Sequence, residues 1–305
     1  MTMSEQVRRE QMGRAQVGPR AHIGARAQVG LMVEGQMGLN WPRWRRVLEM
    51  AERAGYQCVF RSDHFTNAQA PDLDSLELFT SLAFAATHTA RIEFGSLVAP
   101  VTFRHPTMTL RQATAIDELS NGRLVLGLGA GWQAREHANY GIPFGTFGSR
   151  FRALTDALEI GERLLASDAP VTWQGELIGV QDAVLLPRPV RKLPILIGGN
   201  GPRRSLPLAA RYADEWNGVF VPVETYGERN AQLTELLQVR GRDPASVKRS
   251  FMGPFANFQG SEGLDRLDAY IEAGCQRFML QFYDYDNLEP IERWAQDNLR
   301  RFHGP

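Results

Sequence analysis

The stretch "GRLVLGLGAGWQAREH" (residues 122–137) decides the fold, because its apolar first half is typical of a buried β-strand and ends in closely spaced glycines. A Rossmann dinucleotide-binding turn requires G-x-G-x-x-G and, about 20 residues later, an acidic residue that ends the next strand. Here Gly127, Gly129 and Gly131 alternate with other residues, and Trp132 occupies the position of the last fingerprint glycine. The downstream stretch "YGIPFGTFGSR" is a loop and contains no such strand. The pattern therefore favours a different α/β architecture.

The rest of the chain alternates between strand-like and helix-like segments. Apolar runs predict eight strands, at residues 27–34, 57–61, 91–98, 123–128, 194–198, 214–221, 248–258 and 276–283. Each strand is followed by a segment of helical periodicity. In the first of these helical segments, Pro42 is suited to the first turn and Gly55 to the C-terminal end of the helix. Continuous apolar strands are typical of parallel sheets, and eight such units close into a (β/α)₈ TIM barrel. Residues 170–190 predict a short hairpin inserted between helix four and strand five.

The N-terminus differs in composition from the barrel segments. The hexapeptides "RAQVGP", "RAHIGA" and "RAQVGL" follow one another, but three copies are too few to bury the core of a repeat protein. We therefore expect a flexible tail at residues 1–26 and one barrel domain at residues 27–305.

Composition narrows the function classes. The chain has 305 residues with 34 basic and 34 acidic side chains, so no net charge attracts nucleic acid or a membrane surface. Cys58 and Cys275 lie in apolar runs and predict buried thiols in a reducing compartment, without a disulfide. The six histidines show no metal-ligand spacing, and neither a membrane-spanning run nor a signal peptide is recognisable. We expect a cytoplasmic protein without a metal.

Several polar residues follow the predicted strands, where the catalytic groups of a barrel collect. Strand two ends in "FRSDHF", which makes Asp63 and His64 a candidate acid/base pair; alternatively, the two form a structural hydrogen bond. His105 precedes a proline at a helix start, which favours a capping role. After strand four, Trp132 and, further on, Trp216 either form walls for an aromatic ligand or pack in the core.

Two further features of the predicted mouth have alternative interpretations. Glu136 either faces the site or accepts backbone amides of a loop. Strand five runs into a glycine-rich turn before a helix that carries Arg203 and Arg204, which predicts a phosphate site; the alternative is a tight turn without a ligand. The turn consists of Gly198, Gly199, Asn200 and Gly201.

Five stretches together resemble the luciferase-like monooxygenase superfamily, most closely its branch of coenzyme F420-dependent oxidoreductases. They are "AERAGYQCVFRSDHF", "RIEFGSLVAPVTFRHP", "AIDELSNGRLVLGLGAGWQAREHANYGIPF", "LPILIGGNGPRRSLPLAARYADEWN" and "GRDPASVKRS". The resemblance covers residues 27–303. It implies a TIM barrel with an inserted segment, a homodimer, and a flavin or deazaflavin that lies across the C-terminal ends of the strands.

The resemblance also implies roles for individual residues. It places His64 near the reactive ring carbon and a bulge at residues 95–98 behind the ring, with a non-prolyl cis peptide at Ser96–Leu97 or Leu97–Val98. It assigns Ala130, Gly131 and Arg135 to the cofactor-side loop and the turn at 198–201 to the phosphate. Family members that oxidise a phosphorylated sugar carry a catalytic glutamate where this chain has Trp132, so the resemblance does not extend to that activity.

These features together predict hydride transfer between F420 and a small organic substrate. The alternative is an FMN-dependent monooxygenase that receives reduced flavin from a partner reductase. The chain lacks the long insertions common in such monooxygenases, which favours F420. A third hypothesis is a flavin-binding protein without catalytic activity.

Overall fold

The computed structural model describes residues 27–302, in which eight parallel strands close into a barrel. The strands are β1 (Gln28–Val33), β2 (Cys58–Arg61), β3 (Glu93–Ser96), β4 (Ala99–Pro100), β5 (Leu124–Gly129), β6 (Val171–Gln174), β7 (Gly179–Ala183), β8 (Ile195–Gly198), β9 (Glu215–Val219), β10 (Lys248–Pro254) and β11 (Arg277–Phe282). Around the ring the order is β1, β2, β3, β5, β8, β9, β10, β11, and β11 pairs with β1. The predicted TIM barrel is confirmed; the predicted tail at 1–26 lies outside the described residues.

Helices cover the outside of the barrel. They are α1 (Trp41–Ala54), α2 (Leu78–His88), α3 (Pro106–Leu119), α4 (Ala134–Asn139), α5 (Phe147–Ala166), α6 (Ser205–Tyr212), α7 (Val223–Val239), α8 (Gly260–Glu272) and α9 (Glu289–Asn298). The predicted bounds of the first helix are confirmed: Pro42 lies in its first turn and Gly55 ends it with a φ of 92°. The side chain of Asn40 caps the same helix by accepting a hydrogen bond from the backbone N–H of Arg43. His105 caps α3, as its position before a proline indicates.

The third predicted strand is interrupted. A cis peptide joins Leu97 to Val98, and β4 continues beyond it as a separate short strand along β5. Gly127 and Gly129 of β5 make room for this bulge, because a Cβ would lie 2.0 Å from the carbonyl oxygen of Ser96 at the first position and 2.4 Å from Val98 at the second. Gly127 and Gly129 of the opening stretch therefore serve packing between strands.

The predicted hairpin between α5 and β8 is confirmed as the antiparallel pair β6 and β7. It is attached to α5 through the buried carboxylate of Asp156. This carboxylate accepts hydrogen bonds from the backbone N–H groups of Leu177 at 2.7 Å and Ile178 at 2.9 Å, in the turn between the two strands. The insertion thus has a defined orientation on the helix layer.

The barrel interior has a charged floor below an apolar middle. Arg277 is fully buried and donates to the carboxylates of Glu93 and Glu215 and, at 2.8 Å, to Gln28. Removing one member of a buried ion pair costs roughly 3–5 kcal/mol. We therefore expect this cluster to stabilise the end of the barrel where the strands begin. Above it lie apolar side chains, namely Met32, Phe60, Leu97, Val125, Leu196, Met252 and Met279. The C-terminal ends of the strands therefore form the polar, accessible end of the barrel.

Three further observations concern classes of site. Cys58 and Cys275 are buried thiols, as predicted, and burial raises the pKa of each to about 12. No helix within residues 27–302 combines the length and apolarity needed to cross a membrane. In the same part of the chain, no group of three or more His, Cys, Asp or Glu side chains is arranged to hold a metal ion.

Candidate active site at the barrel mouth

His64 and Glu136 form a buried pair at the C-terminal ends of the strands. His64 follows β2, while Glu136 lies on α4 after β5, and closure of the barrel brings them together across 72 residues of sequence. The Nδ1 atom of His64 lies 2.9 Å from Oε1 and 3.2 Å from Oε2 of Glu136. Glu136 also accepts the backbone N–H of Phe65 at 3.1 Å, so it fulfils both roles considered from the sequence. The pair fixes the imidazole ring and leaves Nε2 without a partner among the described residues.

Two opposing effects set the pKa of His64. Burial, the larger single effect, disfavours the charged imidazolium and lowers the pKa. The hydrogen bond and the charge of Glu136 favour the imidazolium, and with smaller contributions from Glu34 and Asp63 they raise the pKa above its ordinary value. His64 is therefore more readily protonated near neutral pH than an exposed histidine.

Asp63 is paired with Arg104, whereas the adjacent His64 is paired with Glu136. Its carboxylate is 2% exposed and accepts hydrogen bonds from Arg104 at 2.5 and 3.3 Å. Arg104 also donates to Glu77 at 2.7 Å. Burial raises the pKa of Asp63, and Arg104 opposes that shift. Asp63 therefore lies in an ion pair beneath the mouth, and this ion pair positions the loop after β2. The pair of Asp63 and His64 considered from the sequence does not form, because His64 is hydrogen-bonded to Glu136.

The bulge of the third strand faces the same space. Leu97 and Val98 lie in the apolar cluster at the top of the barrel interior. Ser96 is fully buried, and its hydroxyl oxygen lies 2.8 Å from the carbonyl oxygen and 2.9 Å from the amide nitrogen of Gly127. Of the two peptide bonds that the resemblance left open, Leu97–Val98 is the cis bond.

The loop after β5 contributes the open side of the mouth. Ala130 and Gly131 are half-buried, and Gly131 has a φ of 77°, which favours glycine. Trp132 is 64% exposed and meets the ring of His64 edge to face with the centroids 5.3 Å apart. Arg135 is paired with Asp72 at 2.7 Å and so ties this loop to the loop after β2. Trp132 is thus available to a ligand, whereas the charge of Arg135 is engaged.

The glycine turn after β8 has a fixed backbone, in which the N–H of Gly199 donates to the carbonyl of Asn217 at 3.0 Å. Gly198, Gly199, Asn200 and Gly201 are all half-buried. The side chain of Asn200 donates to the carbonyl of Val219 at 2.7 Å and accepts its N–H at 3.0 Å. The following helix, α6, has no side-chain cap at its N-terminus. Leu206 donates its N–H to the carbonyl of Gly201 at 3.1 Å and Pro207 has none, so the N–H of Ser205 and the positive end of the helix dipole are what this terminus offers an anion.

The structure does not bring Trp216 to the mouth. Trp216 is fully buried behind the glycine turn, where its indole N–H donates to the carbonyl of Gly199 at 3.0 Å. Its ring stacks on that of Tyr226, with the centroids 5.2 Å apart. Of the two interpretations considered from the sequence, the geometry agrees with core packing, and Trp216 supports the turn from the outside of the barrel.

Sequence reasoning missed a polar group on the rim next to His64, after the neighbouring strand β1. Glu34 directly follows β1 and is only 9% exposed. It accepts hydrogen bonds from Gln281, beside the end of the adjacent strand β11, and from Gln36. The signal was present, because a carboxylate directly follows the apolar run "VGLMV", just as Asp63 follows the second strand.

Comparison with known proteins agrees with this geometry. A sequence profile described as "Luciferase-like monooxygenase" matches residues 21–297. An F420-dependent glucose-6-phosphate dehydrogenase of Microbacterium testaceum is 32% identical over 289 residues, covering 84% of this chain and 85% of the relative. An F420-dependent hydroxymycolic acid dehydrogenase of Mycobacterium tuberculosis is 29% identical over 251 residues, covering 82% of this chain and 67% of the relative.

Two further comparisons define how far the likeness extends. The structure of an F420-dependent secondary alcohol dehydrogenase in complex with an F420-acetone adduct superposes with a TM-score of 0.79 at 18% identity. It covers 91% of this chain and 99% of that chain, and at this identity it shows the shared fold alone. The chain spans about half the length of several other curated relatives that it matches.

Proposed function

Because the chain belongs to the luciferase-like monooxygenase family, we propose that it is an oxidoreductase that transfers a hydride between coenzyme F420 and a small organic substrate at the barrel mouth. The observation that carries this proposal is the His64–Glu136 pair, which faces the same mouth as the Leu97–Val98 bulge and the glycine turn. The curated relatives named F420-dependent dehydrogenases support the choice of cofactor.

The residues present fit a deazaflavin with a phosphate-bearing arm. Leu97 and Val98 offer an apolar surface at the top of the barrel interior for a planar ring. The three glycines of the turn at 198–201 leave space next to the uncapped N-terminus of α6 for the phosphate. Arg204 is exposed beside this turn and lies over the rings of Phe147 and Phe151, about 5 Å from each centroid.

The chain's own residues supply orientation and proton handling. Bound deazaflavin supplies a ring carbon that gives or takes a hydride. Glu136 fixes the His64 ring through Nδ1, so that Nε2 holds or releases a proton toward a ligand above the mouth. Trp132 and the stacked pair of Phe65 and Phe103, whose centroids lie 4.4 Å apart, provide apolar surface beside it.

Parallel fluorescence titrations with F420 and with FMN test the cofactor. We expect saturable binding of F420; saturation by FMN alone would refute the choice and favour a monooxygenase supplied by a reductase. His64→Asn should keep the affinity for F420 and lower turnover roughly 100-fold, as expected for a lost acid/base group. His88→Asn, at an exposed position on α2, is the matched control. Binding without turnover of any substrate would indicate a flavin-binding protein.

The assembly and location of the protein are part of the proposal. We expect a homodimer that acts on a small molecule in the cytoplasm, without a nucleic acid or membrane partner. A reductase would be required only by the FMN alternative. Light scattering coupled to gel filtration measures the oligomeric state, and a monomer at micromolar concentration would contradict the expected dimer.

A further inference from the structure

A cavity lies at the end of the barrel where the strands begin, opposite the mouth. Its volume is about 570 Å³, and it is lined by residues at or just before the starts of β1, β2, β9, β10 and β11. The polar side chains of this lower cavity are Gln28, Gln57, Asp214, Ser246, Lys248 and Gln276. The catalytic groups of a TIM barrel collect at the other end, so the proposed function leaves the lower cavity without a role.

Three glutamine amides of the lower cavity have a fixed orientation. Oε1 of Gln57 accepts a backbone N–H of β1 at 2.7 Å, and Oε1 of Gln276 accepts a backbone N–H of β10 at 2.9 Å. Oε1 of Gln28 accepts from Nε of Arg277 at 2.8 Å and from Nζ of Lys248 at 3.1 Å. These partners can only donate, so the bonded atom of each amide is its oxygen. Within residues 27–302, none of the three NH₂ groups donates to an acceptor of the chain, so all three are available to a ligand in the cavity.

Lys248 adds a positive charge whose surroundings stabilise it poorly. Burial disfavours the ammonium form most, and the neighbouring guanidinium of Arg277 adds to that effect, so the pKa of Lys248 is lowered. The carboxylates of Glu215 and Glu93 and the thiol of Cys58 oppose the shift. Both carboxylates, however, accept their hydrogen bonds from Arg277 and none from Lys248. An anion in the lower cavity would therefore supply stabilisation that the ammonium group lacks.

Asp214 is the one carboxylate among the described residues that line the cavity, and both of its oxygens have partners. Oδ1 accepts from Nζ of Lys192 at 2.5 Å, and Oδ2 accepts the backbone N–H of Ile195 at 3.0 Å. Ser246 adds a hydroxyl, which can donate as well as accept. The groups that the chain leaves without a partner are therefore mainly donors. Water accepts from such donors singly, whereas an anion with several oxygens accepts from all of them through charge-assisted hydrogen bonds.

We propose that the lower cavity binds a small tetrahedral oxyanion, either phosphate or the phosphate group of a monoester, through Lys248 and the amides of Gln28, Gln57 and Gln276. These donors come from four strand starts, and a tetrahedral group presents oxygens in several directions, whereas the two oxygens of a carboxylate lie in one plane. The site is separate from the glycine turn, which follows the C-terminal end of β8. Because the donors meet only in the closed ring, the bound oxyanion should stabilise the folded barrel.

Phosphate titration of the whole chain by NMR tests the site directly. Lys192 and Lys248 are the only lysines, so ¹³C-labelled lysine gives two side-chain signals, and Lys248→Met assigns them. At constant ionic strength, phosphate should shift the Lys248 signal saturably and raise the pKa of Lys248, because a nearby anion favours the ammonium form. Acetate should bind about 10-fold more weakly or less. Comparison of inorganic phosphate with glycerol 2-phosphate decides between the free anion and a monoester.

Thermal unfolding gives a second readout and admits matched variants. Gln276→Glu keeps the acceptor for the backbone N–H of β10 but replaces the NH₂ donor with a charged oxygen. Lys248→Met removes the ammonium group, and Arg45→Met removes an exposed charge of α1 as the control. The first two variants should weaken phosphate binding about 10-fold or more and lose the rise in Tm that phosphate gives the wild type over sodium chloride, whereas the control should keep both.

The outcomes separate this site from others. Phosphate bound at the glycine turn would raise the Tm of all variants alike and leave the Lys248 signal unmoved, and that result would overturn the proposal. Equal phosphate affinity in the wild type and Gln276→Glu would also overturn it, because the amides would then take no part. Equal binding of acetate and phosphate would refute the tetrahedral class of ligand. None of these measurements depends on F420 or on turnover.

Discussion

Replacing Glu136 with glutamine tests whether the His64 pair stabilises the folded chain through charge. Glutamine has nearly the same shape and keeps one acceptor oxygen, but it cannot attract an imidazolium. The pKa of His64 is raised in the folded protein, so its contribution to stability is fully present below the ordinary value of 6.5. That contribution is lost as the pH rises through the folded-state pKa. Glu136→Gln should therefore be most destabilising in acid.

The expected magnitude follows from the contacts. Both oxygens of Glu136 lie within 3.2 Å of Nδ1 of His64, and the carboxylate is 1% exposed, so solvent screens the pair little. A hydrogen bond to a charged group is worth about 1.5–3 kcal/mol, whereas a neutral one is worth about 0.5–1.5 kcal/mol. We expect the loss in the free energy of unfolding to fall from the first range at about pH 5.5 to the second at about pH 9.

Urea unfolding at the two pH values measures this difference. Glu289→Gln, which removes an exposed ion pair with Arg293 on α9, is the control and should change stability little at either pH. The measurement assumes that unfolding is two-state, which coincident fluorescence and circular dichroism transitions would establish. An equal loss at both pH values would show that His64 is neutral in the folded protein and would refute the reasoning.

Three other substitutions probe the supports of the mouth. Arg104→Met leaves Asp63 buried without a partner, so it should cost roughly 3–5 kcal/mol at neutral pH in urea unfolding, and the cost should shrink in acid as the carboxyl group is protonated. Gly127→Ala places a Cβ 2.0 Å from a backbone carbonyl oxygen and should lower the free energy of unfolding by about 3 kcal/mol or more. Gly148→Ala on α5, where a Cβ meets no atom closer than 3.5 Å, is the control and should not lower the melting temperature. Trp216→Phe removes one hydrogen bond to the glycine turn and should weaken F420 binding while lowering stability by about 1 kcal/mol.

The fold was predictable because its signals are local. Apolar runs indicated the strands, and the end signals of α1 lie within a few residues of the helix. The cis bond at Leu97–Val98 was narrowed to two positions by the resemblance alone. The partners of His64 and Asp63 were not predictable, because Glu136 and Arg104 reach them only after the ring closes and no local pattern indicates that contact. The packing role of Gly127 and Gly129 was not predictable either, because sequence does not show how closely the bulge of the third strand approaches β5.

Among residues 27–302, three enclosed carboxylates (Glu34, Asp63 and Glu136) lie at the mouth or just beneath it, and the partner decides what each can do. A guanidinium cannot give up its proton, so Arg104 keeps Asp63 as a fixed structural charge. An imidazole can lose a proton near neutral pH, so Glu136 controls how readily His64 is charged. Amides carry no charge, so Gln36 and Gln281 orient Glu34 without neutralising it.

Each carboxylate follows or approaches a different strand end, and only closure of the ring places all three around one opening. Groups whose environments differ in this way can take different parts in the proposed reaction, which moves a proton as well as a hydride. Position 132, where the resemblance implies a catalytic glutamate in members that oxidise a phosphorylated sugar, is a tryptophan in this chain. Trp132 instead adds apolar surface beside His64, and its exposed ring is available to a ligand that the pair of His64 and Glu136 faces.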